Sequence, residues 1–189
     1  MDYFLTDEQM MIKELAQKIT KEKILPVRAE YDEKEIFPCN VIKTLADSDL
    51  FGVYIPEEYG GMGFGVFELC LVIEELSKGC GGIALAYAGT ALGTFPILLF
   101  GNEQQKNKYL PFIAKGEKIA AFAVTESNAG SDITSLATTA KKDGEYYVLN
   151  GTKQWITNGG EAEIYVVIAT TDRTKGARGA TAFILEKGM

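Results

Sequence analysis

The apolar residues of this chain change their spacing at Gly116, and no other feature limits the possible folds as much. Before Gly116 they recur with the period of a helix; after it they alternate with period two, as in strands with one buried face. The expected fold class is α+β. An all-α helical bundle spans 1–116, and an antiparallel, β-barrel-like domain spans 117–189.

Within the first part, Thr6-Asp-Glu-Gln9 reads as a capping box, with Leu5 and Met10 placed as a hydrophobic staple. The helix it opens turns Ile12, Leu15, Ala16 and Ile19 inward, and Pro26 bends or stops it. A second helix starts near Pro38, buries Val41, Ile42, Leu45 and Ala46, and ends by Gly52. A third runs over 66–78 and stops at Gly79. From Gly79 to Asn102 no residue is charged, a length that can span a bilayer. Gly79, Gly81, Gly82, Gly89, Gly93 and Pro96 interrupt it, however, and a helix buried on all sides of a core reads the same way. Residues 83–100 are therefore expected as the central helix of the bundle. Asn102 caps a fifth helix that carries Tyr109, Leu110 and Phe112 inward. Gly60, Gly61, Gly63 and Gly65 resemble a phosphate loop, but no lysine or hydroxyl follows at the required spacing. A tight connection between packed helices is expected there.

In the second part, 119–124 reads as a buried strand. Asp143-Gly144 separates strands 136–142 and 145–149, and Asn150-Gly151 separates the latter from a strand over 152–157, giving two hairpin signals. Strands over 164–170 and 180–185 flank a polar loop. So much apolar sheet calls for a closed barrel or a covering layer. The sheet is thus expected to be truncated, the first half of a longer protein.

Composition removes several functions. The net charge of −7 over 189 residues argues against a nucleic-acid partner. Without histidine there is no Ser–His or Cys–His nucleophile and no His-ligated metal, so no metal site is expected. Cys39, Cys70 and Cys80 have no Cys-x-x-Cys spacing and read as buried, reduced thiols of a cytoplasmic protein. The Met1-Asp-Tyr start lacks basic residues, so no secretory leader is expected.

The chemistry concentrates in two short clusters. In Phe122-Ala-Val-Thr-Glu-Ser-Asn-Ala-Gly-Ser-Asp132, an apolar strand opens into a loop of small polar residues. Gly130 there lets a backbone approach a ligand closely, and N–H and hydroxyl donors converge on one acceptor-rich object. Lys153-Gln-Trp155-Ile-Thr157-Asn-Gly159 repeats the arrangement around the one tryptophan. An indole and several hydroxyls suit a flat ring. Taken singly, Trp155 reads equally well as a core residue, and Thr125 and Thr157 as ordinary strand threonines.

Together the two clusters resemble the acyl-CoA dehydrogenase flavoprotein family, a likeness that covers the chain from Phe4 to Gly188. Ser127 departs from it, standing where the family usually has proline. The resemblance implies FAD as cofactor and an acyl-CoA substrate oxidised to the trans-2-enoyl-CoA, as in fatty acid β-oxidation. It implies electron-transferring flavoprotein as electron acceptor, and a homotetramer with no membrane or nucleic-acid role. Carried over by residue, Phe122, Val124 and Thr125 line the flavin edge. Gly130 and Ser131 lie at its diphosphate, with Ser131 also near the CoA arm. Trp155, Ile156 and Thr157 contact the ring. The acyl tail is placed near the charge-free helix, by Tyr87, Thr90, Leu92, Thr94 and Phe95, although core packing suits most of these. The family's catalytic base lies in a later domain, so no residue here is assigned that role. Glu126 is expected to organise its loop. Two other readings stay open: a non-catalytic acyl-CoA-, flavin- or partner-binding module, and an enoyl-CoA reductase on the same fold.

Overall fold

The capping box forms as the sequence predicts. Thr6 Oγ1 accepts from Gln9 N at 3.3 Å, and Gln9 Oε1 accepts from Thr6 N at 3.0 Å. The computed structural model describes residues 4–189; Met1–Tyr3, on which the leader reading rests, lie outside the described residues. Helix α1 (Asp7–Ile19) buries Ile12, Ala16 and Ile19, while Leu15 stays partly exposed. It widens into a π-helical turn, Thr20–Ile24, before Pro26. A short helix that periodicity did not mark, α2 (Arg28–Glu33), buries nothing, which is why no apolar pattern announced it. Then follow α3 (Cys39–Asp47), α4 (Val66–Gly79), α5 (Gly81–Phe100) and α6 (Glu103–Ala114).

The glycine-rich connection before α4 folds back on 50–55. The N–H groups of Met62, Gly63 and Phe64 donate to the carbonyls of Gly52, Ile55 and Val53 at 2.8, 2.9 and 3.1 Å. Those donors are spent inside the protein, so a phosphate would find none of the three free.

Helix α5 is long and apolar enough to cross a membrane by length and composition, yet more than half of it is buried within this protein. It packs on α4, α6 and the first strand. Gly93 permits the last of these contacts: a Cβ there would lie 2.7 Å from the backbone nitrogen of Ala121. Tyr87, Thr90 and Thr94 are wholly buried. Tyr87 donates to Leu50 O, and Thr94 to Thr90 O, so these are core residues. Leu92 faces outward. Each fully buried aliphatic side chain contributes about 1.5–3 kcal/mol, and one cluster joins both parts of the chain, from Ile12 and Leu45 to Ala120 and Ile164.

The strands are β1 (Ala120–Ala123), β2 (Thr139–Asp143), β3 (Tyr146–Asn150), β4 (Ile164–Thr170) and β5 (Ala180–Glu186). The α-then-β class stands, but the sheet is mixed and open rather than antiparallel and barrel-like. β5 runs antiparallel along the whole of β4. On the other edge of β4, β1 pairs in parallel from Ile164 to Val167, and β2 joins in parallel only at Thr170. β2 and β3 form the expected hairpin, with Gly144 at φ +58°. The second expected hairpin is absent. Trp155 and Asn158 have φ of +58° and +64°, a left-handed conformation that no strand over 152–157 accommodates.

Candidate functional site

Both clusters are loops, and the sheet decides where they meet. Because β1 stops pairing at Val167 and β2 begins at Thr170, β4 leaves a gap in its edge. The first loop, 124–138, departs across that gap and returns where Thr138 O accepts from Thr170 N at 2.9 Å. Its turn over Ser127 and Asn128 closes through Glu126 N donating to Ala129 O at 2.9 Å and Ala129 N to Glu126 O at 3.2 Å. A proline at 127 is therefore not needed to shape it. Asp132 then accepts from the N–H of Thr134 and from the hydroxyls of Thr134 and Ser135, which ends the loop in a short 3₁₀ turn.

The second loop holds two of the four non-glycine residues with positive φ among the described residues. Such conformations cost about 1–3 kcal/mol each and collect at functional sites. The Gln154 N–H, which a strand would have paired with β3, donates instead to Thr125 O at 3.0 Å. Lys153 Nζ donates to Val124 O at 2.9 Å and to Glu126 Oε1 at 2.7 Å. The two clusters are thus joined along 124–126 and 153–154.

Around this seam, Phe122, Val124, Thr125, Ile156 and Thr157 are half-buried, while Gly130 and Ser131 are exposed on the first loop. The Trp155 indole is 85% exposed, which overturns its reading as a core or strand residue. The hydroxyls of Thr125, Ser131 and Thr157 have no hydrogen-bond partner among the described residues. Trp155 and Ile156 line a cleft of about 580 Å³ together with Ala123, Tyr165, Val167 and Leu185. Thr157 lines another, about 510 Å³, with Arg28, Tyr31, Ile83 and Ala86. Gly159 borders both. A Cβ at Gly89 would lie 2.5 Å from the Thr157 methyl, so α5 sets the height of this turn.

The buried carboxylates among the described residues, Glu68, Glu75 and Glu126, are already committed. Glu126 Oε1 accepts from Lys153 and from Thr138 N at 3.0 Å, and Oε2 accepts from Ala137 N at 2.6 Å. Burial works to raise its pKa, but the lysine and the amide donors prevail and hold it at about 2. Glu75 is opposed by burial and lowered by Lys78, with Lys13 nearby; Glu68 is likewise opposed by burial and lowered by Gln9 and the Gly65 N–H. A general base needs a free carboxylate with a pKa near the working pH, and none of these three is one.

Lys153 and Asn158 take roles that their place in the second cluster did not announce. Asn158 is buried, and its Nδ2 donates to Ala86 O, Thr90 Oγ1 and Ala120 O at 2.9, 3.2 and 3.2 Å. The signal for Lys153 was present: one cation in an otherwise uncharged cluster, with Glu126 as the one carboxylate of the strand end facing it.

Known proteins resemble this chain along its whole length. Residues 6–117 match the family model of the acyl-CoA dehydrogenase N-terminal domain, and residues 121–189 that of the middle domain. A short-chain specific acyl-CoA dehydrogenase of Clostridium acetobutylicum is 44% identical over all of this chain and 50% of its own length. A 3-(aryl)acrylate reductase of Clostridium sporogenes is 40% identical over 97% of the chain and 49% of its own. Among solved structures, butyryl-CoA dehydrogenase of Megasphaera elsdenii superposes with a TM-score of 0.95 at 42% identity, over all of this chain and 50% of that one. A chain from work on the electron transferring flavoprotein of Acidaminococcus fermentans gives 0.96 at 44%, with the same coverage. An acyl-CoA dehydrogenase of Bacillus anthracis complexed with FAD gives 0.87 at 38%, over 97% of this chain and 31% of that one. The chain spans about half the length of the curated relatives it matches.

Proposed function

This chain belongs to the acyl-CoA dehydrogenase family, and from that premise we propose that it holds FAD for the oxidation of an acyl-CoA thioester to the trans-2-enoyl-CoA. One observation carries the reading. The seam from Lys153 and Gln154 to Val124, Thr125 and Glu126 brings both clusters to one place, with unpartnered hydroxyls and an exposed indole beside it.

These residues fit a flavin. Phe122, Val124, Thr125, Trp155, Ile156 and Thr157 would hold its ring, and Gly130 and Ser131 its diphosphate. Ser131 also meets the CoA arm. Bound FAD supplies a hydride acceptor. The chain's part is to orient it and keep donors in place, while an alpha proton and a beta hydride leave the substrate. None of the buried carboxylates Glu68, Glu75 and Glu126 is a free proton acceptor; following the family likeness, which puts the base in a later domain, we assign the base outside this chain and expect the 189 residues alone to turn over no substrate. Electron-transferring flavoprotein as acceptor is supported by the Acidaminococcus fermentans structure. Division at Gly116 into helical and sheet domains is supported by α6 ending at Ala114 and β1 starting at Ala120. A cytoplasmic location is supported by the three free cysteines among the described residues, of which Cys39 and Cys70 are exposed and Cys80 half-buried, not buried as expected. A homotetramer is supported by the apolar surface that Leu85, Leu92 and Leu99 leave open on α5 for other copies, and the absence of a membrane role by more than half of that helix being buried within the protein.

The reverse reaction, reduction of an enoyl thioester or acid, is a second reading, favoured by the acrylate reductase relative. The test is to titrate the purified chain with FAD while following Trp155 emission and the flavin absorbance, then to add acyl-CoAs of several lengths anaerobically to the FAD-loaded full-length protein. Quenching of Trp155 with retained flavin supports the reading. Emission unmoved by FAD, with no flavin retained, sinks it. Reoxidation of reduced flavin by an enoyl substrate, without bleaching by the saturated one, would favour the reductase.

A further inference from the structure

We propose that Glu126 and Lys153 are positioning residues, an internal clasp that fixes the Gly130–Ser131 loop to the Trp155 loop so that both meet the flavin as one surface. The proposal rests on the flavin reading above and goes beyond it to name what holds the two halves in register.

The geometry is specific. The Glu126 carboxylate stands at the start of the first loop and accepts from the N–H groups of Ala137 and Thr138 at its end, so it closes the loop on itself. Its remaining bond is to Lys153, whose ammonium also takes Val124 O. One buried ion pair therefore touches the beginning and the end of the first loop and the beginning of the second. Both side chains are inaccessible, at 3% and 10% relative exposure, so neither is free for a ligand. A buried pair broken by losing one partner leaves an uncompensated charge and is strongly unfavourable, whereas an exposed pair would matter little. Away from the pair, Ser127, Asn128 and residues 130–135 of the first loop are exposed, as are Trp155, Gly159 and Gly160 of the second; Asn158 fixes the second loop to α5 and β1, but no bond of Asn158 reaches the first loop.

The test compares the wild-type chain with Lys153→Met, Glu126→Gln and, as a control, Glu75→Gln. The control removes a buried carboxylate charge paired with Lys78 at 2.7 Å in the helical part, away from both loops. Two quantities are read: amide hydrogen exchange, and the FAD dissociation constant from Trp155 quenching. Lys153→Met is expected to speed exchange at Ala137, Thr138 and Gln154 by at least about tenfold, to leave the amides of α5 unchanged, and to weaken FAD at least about tenfold. Glu126→Gln keeps the side-chain shape and should do the same to a smaller degree. Glu75→Gln should leave the FAD constant within about twofold. Local exchange that does not rise, or that rises without any loss of FAD affinity, overturns the proposal. Loss of protection throughout the helices in both loop variants also overturns it, since the pair would then be a general prop. A wild-type chain that binds no FAD sinks the flavin reading and this proposal with it; a wild type that binds FAD no better than the variants sinks the proposal alone.

Discussion

The Asn158 side-chain amide donates to the backbone oxygen of Ala120 at 3.2 Å, and this bond ties the second loop to the first residue of β1. The same nitrogen reaches Ala86 O and Thr90 Oγ1 on α5. One buried side chain thus joins helix, strand and loop. Its own left-handed φ of +64° is a conformation that asparagine tolerates better than most residues.

Asn158→Ala should therefore cost more than a single hydrogen bond. It strands buried acceptors and places alanine at positive φ, for a loss of about 2–4 kcal/mol. At about 2–4 °C per kcal/mol for a chain of this size, thermal unfolding should move down by roughly 5–15 °C. A shift of less than about 2 °C would show that the three donations do not hold the loop.

Two glycines of α5 should respond in opposite directions to the same substitution. At Gly93 a Cβ meets backbone 2.7 Å away, so Gly93→Ala must push α5 off β1 and is expected to cost about 1–3 kcal/mol. At Gly82 the nearest atom is Cys80 Sγ at 3.9 Å, so Gly82→Ala should stabilise by about 0.4–1 kcal/mol. Urea melts of the two variants check this; equal shifts would mean that α5 and β1 are not in close contact.

Acid should loosen the site through Glu126. Its folded pKa of about 2 lies below its ordinary 4.5, so its stabilisation is fully present above the unfolded value and is lost as pH falls from about 4.5 toward 2. The shift corresponds to a contribution on the order of 3 kcal/mol. Stability measured from pH 6 down to pH 3 should fall less steeply in Glu126→Gln than in wild type. Parallel curves would remove Glu126 from the account of acid sensitivity.

Trp155, as the one tryptophan, reports on the site without labelling. At 85% exposure its emission should resemble that of an indole in water and be readily quenched by acrylamide. FAD should both quench it and shield it from acrylamide. Unchanged acrylamide access at saturating FAD would place the indole away from the ring.

Turnover gives a separate check. The buried carboxylates Glu68, Glu75 and Glu126 are all hydrogen-bonded and held at lowered pKa, so none is free to take a proton; with the base assigned outside it, the 189-residue chain should show no acyl-CoA oxidation with an artificial electron acceptor, even when loaded with FAD. Measurable turnover would return one of the chain's own carboxylates to consideration as base.

The sequence by itself determined the elements whose signals are local. The Thr6 and Asn102 caps, the apolar faces of α1 and α3, the stop at Gly79 and the Asp143-Gly144 turn all depend on neighbours within a few residues. It also determined the family, because two clusters of specific composition stand at a specific spacing. Tertiary structure decided the rest. Helix α2 buries nothing and so left no pattern. Strand pairing is non-local, and alternation looks the same in parallel and antiparallel neighbours; only the fold made β4 a central strand with a gap in its edge. Residues 152–157 alternate like a strand, yet the Gln154 N–H found its acceptor in Thr125, far away in sequence, and Trp155 turned left-handed into the open. Composition names a lysine and a glutamate; it takes a folded, water-excluding interior to make them a pair.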